Sequence, residues 1–270
     1  MFRFATKNDR EDLIKLWYDC FGDGEKFVGA FLDCFLKEDT AYVCEEAGRI
    51  VSVVYALDCM IGDKKGCYFY AIATDAHFRR RGLARREIEF LTDYKTKRGT
   101  EIFLLTASNE KNNAYYKQLG FEDAFFCFTK TFVKTDKTIE ISEDFSLDEI
   151  YSLRTEVFSG EEFVSFPKHH VGFAIGFSDR VFVCRENGKI TAYAMVDNKK
   201  IIELCALKNA EEFVSSVLNE IDAEKADVYW PKTSEFCDFS CKITRGMVYY
   251  SNKNLKREIG ENVFLSLNLE

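Results

Sequence analysis

Hydrophobic positions in the first half of the chain follow helical and strand-like spacings in turn. Apolar side chains three or four residues apart predict amphipathic helices around Leu13–Cys20 and Phe27–Phe35. Asp9 is expected to cap the first of these helices, since carboxylates are favoured at helix starts. β-rich runs predict a short strand at 2–5 and further strands at 41–45, 50–60 and 66–74. The turn at Gly48 joins two of these strands as a hairpin.

The pattern continues with helices that alternate with strands. A helix from about 83 to 97 places four apolar residues on one face, Ala84, Ile88, Leu91 and Tyr94. The strand expected at 102–107 is apolar on both faces, as a central strand should be. The next helix, about 111–119, ends at Gly120, which suits a left-handed cap. We therefore expect an α/β (α+β) fold built on a mixed sheet.

A segment of the second half resembles one in the first half, 140 residues earlier. Tyr42-Val-Cys-Glu-Glu-Ala-Gly-Arg-Ile50 aligns with Phe182-Val-Cys-Arg-Glu-Asn-Gly-Lys-Ile190. The elements that follow keep the same order, with a strand at 201–207, a helix at 211–221 and a strand at 227–230. We therefore expect a duplicated fold with domains at 1–134 and 135–270 and a polar boundary near Lys134–Thr138.

Composition excludes several classes of protein. With 47% hydrophobic and 30% charged residues, each half can bury a core, which argues against disorder. The net charge of −8 repels phosphate backbones, so a general nucleic-acid binder is not expected. No apolar run approaches the roughly 18 residues of a membrane span. The first residues lack the apolar core of a signal peptide, so we expect a cytoplasmic protein.

The 10 cysteines are scattered and form no C-x-x-C motif, the closest pair being Cys237 and Cys241. We therefore expect reduced core cysteines, without disulfides and without a metal site. His169 and His170 are adjacent, but no Cys or Asp stands at ligand spacing from them.

The segment Ile72-Ala-Thr-Asp-Ala-His-Phe-Arg-Arg-Arg-Gly-Leu-Ala84 carries the most informative chemistry. An apolar strand runs into a short loop that opens directly into a helix, whose unpaired N–H groups and positive dipole end suit a pyrophosphate. Gly82 allows a ligand to approach the backbone, and Ala84 keeps the helix close to it. The loop and helix start carry five arginines, Arg79, Arg80, Arg81, Arg85 and Arg86. A solvated, arginine-rich helix start has the same composition, so the pattern alone leaves both interpretations open.

Two linked motifs resemble those of the GNAT superfamily of N-acetyltransferases. Arg79-Arg-Arg-Gly82-Leu-Ala84 matches the family loop (Gln/Arg)-x-x-Gly-x-(Gly/Ala). Asn109 and Tyr116-Lys-Gln-Leu-Gly-Phe121 match its later signature, in the expected order. The resemblance covers about residues 1–133. It departs from the family at three positions, where Ala76 replaces a common Pro, Arg80 a common Gly and Asn112 a common Ala. A side chain at position 80 narrows the conformational freedom of the loop.

The resemblance implies direct transfer of an acetyl group from acetyl-CoA to a primary amine of a small molecule or peptide. It places the pantetheine arm along a bulged strand at Ile72, Ala73 and Thr74. The other cofactor-binding residues that it implies are Arg79, Arg80, Arg81, Gly82, Leu83, Ala84 and Asn109. Tyr116 stands at the position of the family's general acid, which protonates the departing thiolate. The alternative for Tyr116 is a tyrosine that only packs its helix against the sheet.

Other parts of the site stay open at this stage. Asp75, Tyr70 and Glu122 are chemically able to take a proton from the amine, but acidic residues in such positions are more often solvated. His77 lies in the loop and is expected to be exposed. A strand N–H around 72–74 would stabilise charge on the reacting carbonyl oxygen.

The second half lacks the loop, and Glu211 and Glu212 would oppose an anion at its helix start. We expect a degenerate GNAT-like domain there that shapes the acceptor cleft and binds no CoA. A non-catalytic acyl-CoA-binding or regulatory module is the alternative function, and a longer acyl donor is also compatible. The sequence does not name the acceptor, and it leaves a homodimer open.

Overall fold

The computed structural model describes residues 1–158, 163–231, 241–252, 254–258 and 263–265. The chain divides into two compact units. The first consists of Met1–Asp123 and Gly246–Glu258, and the second of Ala124–Arg245 and Ile259–Glu270. Each unit is therefore assembled from two separate stretches of sequence.

The first unit alternates strands and helices. Its elements are β1 (Phe2–Phe4), α1 (Arg10–Phe21), α2 (Glu25–Phe35), β2 (Ala41–Glu46), β3 (Arg49–Ile61), β4 (Lys64–Thr74), α3 (Leu83–Thr96), β5 (Ile102–Leu105), α4 (Glu110–Lys117) and the start of β6 (Glu122–Val133). The end of β12 (Cys241–Tyr250) and α8 (Leu255–Glu258) complete it. The bounds of β1 to β5 and of α1 to α4 lie within three residues of those that the sequence pattern predicts.

The sheet of the first unit is mixed, as expected. Strands β1 to β4 pair antiparallel in sequence order, and β4 pairs with β5 in parallel. On the far side of β5, Met247–Tyr250 of β12 pair antiparallel with Ile102–Leu105. All four residues of β5 are buried, which confirms its prediction as a central strand.

Helices cover both faces of this sheet. Tyr55 of β3 packs on Trp17 of α1, with ring centroids 5.5 Å apart. Its strand neighbours Val54 and Ala56 lie in the buried cluster that contains Ile88 of α3. Because successive strand residues point to opposite faces, α1 and α3 lie on opposite sides of the sheet.

Asp9 is the N-cap residue of α1, as predicted, but its side chain makes no capping hydrogen bond to that helix. Its carboxylate instead accepts the backbone N–H of Thr6 at 2.7 Å and closes a 3-10 turn at Lys7–Asp9. The guanidinium of Arg3 holds it there at 2.7 Å and lowers the pKa of Asp9 to about 2. The ion pair between Arg3 and Asp9 therefore orients the Asp9 carboxylate away from the start of α1.

The second unit also alternates strands and helices. Its elements are most of β6, α5 (Leu147–Phe158), β7 (Val164–Ser165), α6 (Lys168–Phe177), β8 (Arg180–Glu186), β9 (Lys189–Asp197), β10 (Lys200–Ala206), α7 (Ala210–Glu220), β11 (Lys225–Trp230) and the start of β12. Strands β8, β9 and β10 form an antiparallel sheet, and β11 pairs antiparallel with β6. Buried residues of α7, including Phe213 and Val214, belong to one apolar cluster with Val228 and Trp230 of β11.

The two predicted hairpins are present and share one register. In the first, Cys44 lies opposite Ser52, and the register shifts before Glu45. In the second, Cys184 lies opposite Ala192, and the register shifts before Arg185. Their turns have almost the same backbone, with φ of 53° and 78° at Ala47 and Gly48 and of 49° and 78° at Asn187 and Gly188. The likeness between the two segments therefore extends from sequence to backbone conformation.

The eight cysteines whose side chains the structure describes are free thiols. Cys237 and the side chain of Cys241 lie outside the described residues. In the part of the chain that the structure describes, no helix has the length and apolar character to cross a membrane. In the same residues, no group of three His, Cys, Asp or Glu side chains is placed to hold a metal ion.

Candidate functional site

Strand β4 continues beyond the end of its pairing with β5. The parallel pairing joins Gly66–Tyr68 to Ile102–Leu104, whereas β4 runs on to Thr74. In the pairing of β3 with β4, Tyr55 lies opposite Tyr70 but Val53 lies opposite Ala73, so the register shifts between these two pairs. Within the shifted stretch, Ala71 has a left-handed φ of 44°. The bulge expected in this strand is therefore present, and its last residues offer backbone groups to an extended ligand.

The loop after β4 is held by its own side chains. Asp75 Oδ1 accepts the backbone N–H of His77 at 2.8 Å and so caps a 3-10 turn. Arg79 donates from Nε to the carbonyl oxygen of Thr74 at 3.0 Å. The guanidinium of Arg81 lies over the ring of Phe78, 4.6 Å from its centroid. These contacts give the loop a defined conformation.

The loop ends at the start of α3, where backbone donors are available. The first helical hydrogen bond runs from the N–H of Arg86 to the carbonyl of Gly82 at 3.2 Å. The N–H groups of Leu83, Ala84 and Arg85 therefore precede the ladder, as they do at any helix start. Gly82 has φ 74°, and a Cβ placed on it would meet nothing within 4 Å. A left-handed glycine with open space before free N–H groups is suited to an anionic group.

The predicted basic patch is present on the surface. All five arginines of the loop and helix start are exposed. Nearby acids partly balance them, since Arg81 lies 3.7 Å from Glu46 and Arg85 lies 4.0 Å from Glu89. Exposed pairs at these distances contribute little to stability, so the guanidinium groups can exchange these partners for phosphate.

Arg80 adopts a backbone conformation that glycine prefers, with φ 65°. A residue with a Cβ in the left-handed region costs roughly 1–2 kcal/mol. The sequence departs from the family pattern at this position, so the loop keeps a glycine-like backbone with an arginine side chain.

We predict that Arg80→Gly stabilises the protein by about 1 kcal/mol relative to Arg80→Ala, because both remove the charge but only glycine relieves the backbone. Chemical denaturation of the two variants measures this difference. Equal stability would show that the loop backbone is not strained at this position.

Tyr116 lies on α4, and Asn109 immediately precedes this helix. Asn109 caps this helix, with Oδ1 accepting the N–H of Asn112 at 2.9 Å. Tyr116 is only 8% exposed and belongs to the apolar cluster that includes Ile88 and Phe121. Burial raises the pKa of its phenol, so the hydroxyl stays protonated at neutral pH. The contacts described for both residues are structural, and their roles toward a ligand stay predictions.

None of the three candidate bases is assigned by its surroundings. Asp75 is engaged with the His77 N–H and with Arg49 at 3.3 Å. Glu122 forms an ion pair with Lys256. Tyr70 is half-buried, and its ring lies 5.8 Å from that of Trp17. The amine's proton acceptor is therefore not identified by these contacts.

Two features of the site were not found from the sequence. Cys20 of α1 places Sγ 3.6 Å from the carbonyl oxygen of Thr74, at the end of β4. Glu87 of α3 is fully buried and hydrogen-bonded to Ser52 of β3. The position of Glu87 was a usable signal, because it lies three residues after Ala84 and four before Leu91, on the apolar face of the helix.

The corresponding position of the second unit has different chemistry. Three residues link β10 to α7, and Asn209 precedes the helix with φ 52°. Glu211 lies in the first helical turn, where its carboxylate pairs with Lys130 at 2.6 Å. A carboxylate in the first turn of a helix disfavours an anionic ligand at that helix start.

The sequence of residues 10–121 matches the model of the acetyltransferase (GNAT) family. No curated protein matches the sequence. Among solved structures, the fold is similar to a GCN5-related N-acetyltransferase from Anabaena variabilis, with a TM-score of 0.73, 11% identity, and coverage of 93% of this chain and 73% of the other. The fold is also similar to a GCN5-related N-acetyltransferase from Kribbella flavida, with a TM-score of 0.70, 13% identity, and coverage of 93% of this chain and 70% of the other. For Eis1 from Mycobacterium abscessus, the TM-score is 0.65, the identity is 12%, and the coverage is 93% of this chain and 73% of the other.

Proposed function

We propose that this chain, whose residues 10–121 belong to the acetyltransferase (GNAT) family, transfers an acetyl group from acetyl-CoA directly to an amine. Acyl transfer follows from the family; the donor, the direct route and the amine acceptor are the proposal. The observation that supports it most is the continuity of the bulged end of β4 with an anion-suited helix start. A long ligand that carries an amide-rich arm and a pyrophosphate matches both features.

The residues present fit such a donor. The free N–H groups of Leu83, Ala84 and Arg85 and the exposed arginines would hold the pyrophosphate. The backbone of Ile72–Thr74 would hold the pantetheine amides, as an added strand is held at a sheet edge. Acetyl-CoA supplies an acyl group activated as a thioester. The open space at Gly82 leaves room for the phosphates at the helix start.

The chain's own groups would serve the transfer as follows. A backbone N–H in the Ile72–Thr74 segment donates to the carbonyl oxygen as it gains charge. The hydroxyl of Tyr116 gives its proton to the sulfur as the C–S bond breaks and the C–N bond forms. The amine loses one proton to solvent or to a base, and the Tyr116 phenolate regains one from solvent, so protons and bonds balance over a turnover. Burial of Tyr116 keeps the hydroxyl in the protonated form that this role needs.

A thiol-release assay tests this function. The full chain and acetyl-CoA are incubated with small aliphatic amines, aromatic amines and lysine-containing peptides, and free CoA is measured against the amine-free rate. We expect at least one amine to raise the rate of thiol release and to yield an acetylated product by mass spectrometry. The Gly82→Glu variant provides the background for each amine.

A non-catalytic acyl-CoA-binding module is the second candidate, favoured by the burial of Tyr116 in an apolar cluster. That function would give tight CoA binding without amine-dependent thiol release. The two measurements together therefore separate the candidates.

We also propose that the second unit is a duplicated GNAT-like fold that binds no CoA. The shared hairpin register, 140 residues apart, supports the duplication. Glu211 at the start of α7 supports the lack of phosphate binding. We predict a stoichiometry of one CoA per chain by isothermal titration calorimetry. Two equivalent sites per chain would contradict this proposal.

A further inference from the structure

The buried carboxyl group of Glu87 lies between the two parts of the proposed donor site. It is on α3, one turn beyond the loop, and its side chain is shielded from solvent. Its Oε2 atom lies 2.6 Å from Ser52 Oγ on β3. Among the described residues, no cation forms an ion pair with it, and buried carboxylates without a partner are costly.

Ser52 connects this carboxyl group to the bulged end of β4. Its Oγ lies 3.0 Å from the carbonyl oxygen of Ala73 and 2.9 Å from Thr74 Oγ1. Ala73 and Thr74 belong to the segment that would receive the pantetheine arm. The Ser52 hydroxyl therefore contacts both parts of the proposed donor site. It contacts Glu87 of α3, the helix that would hold the pyrophosphate, and it contacts the end of β4 directly.

Counting donors determines the protonation state that suits this geometry. A serine hydroxyl has one proton to donate and two lone pairs to accept with, whereas a carboxylate and a carbonyl only accept. If Glu87 is ionised, Ser52 cannot donate to both Glu87 and Ala73, and one contact becomes a clash of lone pairs. If Glu87 is protonated, Glu87 and Thr74 donate to Ser52, and Ser52 donates to Ala73. All three observed contacts are then hydrogen bonds.

We propose that Glu87 is a protonated positioning residue, which fixes the Ala73–Thr74 backbone through Ser52 and so tunes the affinity for the acyl donor. This inference rests on the proposed function, since it concerns the same donor site. Glu87 acts through Ser52 and does not contact the reacting atoms. Its ionisation removes the proton that completes the chain of hydrogen bonds, and donor affinity falls.

The surroundings of Glu87 support a change of charge near pH 8. Burial raises the pKa of Glu87 to about 8, against the smaller opposing effects of the neighbouring Ser52 hydroxyl and Cys44 backbone. The titratable groups that face it are Tyr42 and Cys44 of β2 and Tyr115 of α4, and burial raises the pKa of each. Arg86, on its own helix, is exposed. Because the neutral acid is the active form, affinity is full below pH 8 and falls as the pH rises through 8.

The test is the pH dependence of CoA binding by the full chain, measured by calorimetry from about pH 6.5 to about pH 9.5. Glu87→Gln keeps the size of the side chain and presents an amide N–H to Ser52 at every pH. Any pH dependence that arises from titration of CoA itself affects wild type and Glu87→Gln equally, so Glu87→Gln serves as the reference. We expect wild-type affinity to fall by about three- to tenfold relative to Glu87→Gln across pH 8, as the loss of one hydrogen bond implies.

Two further variants sharpen the result. Glu89→Gln removes a carboxylate that is exposed on the same helix and is expected to follow the wild type. Ser52→Ala breaks the connection, so it should bind CoA more weakly at pH 7 and lose the decline around pH 8. Infrared spectra at both pH limits read the proton on Glu87 directly, as a carboxylic acid band that Glu87→Gln lacks. Thermal melts of each variant establish that it is folded.

Each outcome decides the proposal. Parallel pH profiles for wild type and Glu87→Gln, or no carboxylic acid band below pH 8, would overturn the positioning role and leave the proposed function intact. Loss of CoA affinity in Glu87→Gln at pH 7 would show that the charged carboxylate is needed, and would also overturn it. If folded wild-type protein binds no CoA at any pH, the proposed function itself fails, and this inference fails with it.

Discussion

Replacing Gly82 with glutamate is expected to lower CoA affinity by a hundredfold or more. Gly82 lies at the start of α3 with φ 74°, and the space around its Cα is open. A carboxylate there would be close to the bound pyrophosphate, and two like charges about 4 Å apart repel by about 4 kcal/mol at an effective dielectric constant near 20. Each 1.4 kcal/mol corresponds to about a tenfold change in affinity, so the predicted effect is large. Calorimetry with CoA measures it directly.

A matched control separates this repulsion from backbone strain. Gly62, in the turn between β3 and β4, also has a positive φ, 58°, with open space around it. Gly62→Glu therefore adds the same side chain and a similar strain at the opposite end of β4. We expect Gly62→Glu to be destabilised to a similar extent and to bind CoA normally. Similar CoA affinity in the two variants would place the pyrophosphate elsewhere.

The elements around this loop were predictable because their signals are local. The apolar strand, the glycine loop and the one-sided helix lie within 33 consecutive residues from Lys64 to Thr96. The hairpin at Gly48 was visible for the same reason, because a tight turn between β-rich runs has its own sequence pattern. The backbone at Gly82 and the bulge at Ala71 follow from this local sequence together with the family resemblance.

Pairings between distant segments were not predictable in this way. The last residues of β12 pair with β5, more than 140 residues away in sequence. Strand patterns show that a segment can join a sheet but do not name its neighbour, so this edge of the first unit could not be inferred. Asp9 is a smaller case, because its carboxylate is oriented by Arg3, whose position depends on the pairing of β1 with β2.

Glu87 shows how the site itself was only partly predictable. Its place on the apolar face of α3 was readable from spacing, but its meaning depends on Ser52, 35 residues earlier. The two meet because β3 packs beneath the helix and pairs with β4. Spacing identifies an unusual buried acid, whereas only the fold shows which hydrogen bonds it makes.

The second large effect is expected for Tyr116→Phe, which should lower turnover by about 10²–10⁴-fold, the usual range for a general acid. The ring keeps its packing against Phe121 and Ile88, so CoA affinity should be nearly unchanged. The pKa of the phenol is raised by burial, which keeps the hydroxyl able to donate throughout the neutral pH range. Steady-state thiol release with the best amine, together with calorimetry, separates turnover from binding.

Tyr115→Phe is the matched control for this prediction. Tyr115 is adjacent on α4, with its ring centroid 5.3 Å from that of Tyr116, but its side chain is only half-buried. Neighbouring helix positions differ by about 100° in direction, so the two side chains leave α4 in different directions. We expect Tyr115→Phe to retain turnover within a fewfold of the wild type. Single-turnover kinetics would show whether the chemical step is rate-limiting. If it is, and Tyr116→Phe also retains turnover, then Tyr116 acts only in packing and the sulfur takes its proton from another donor.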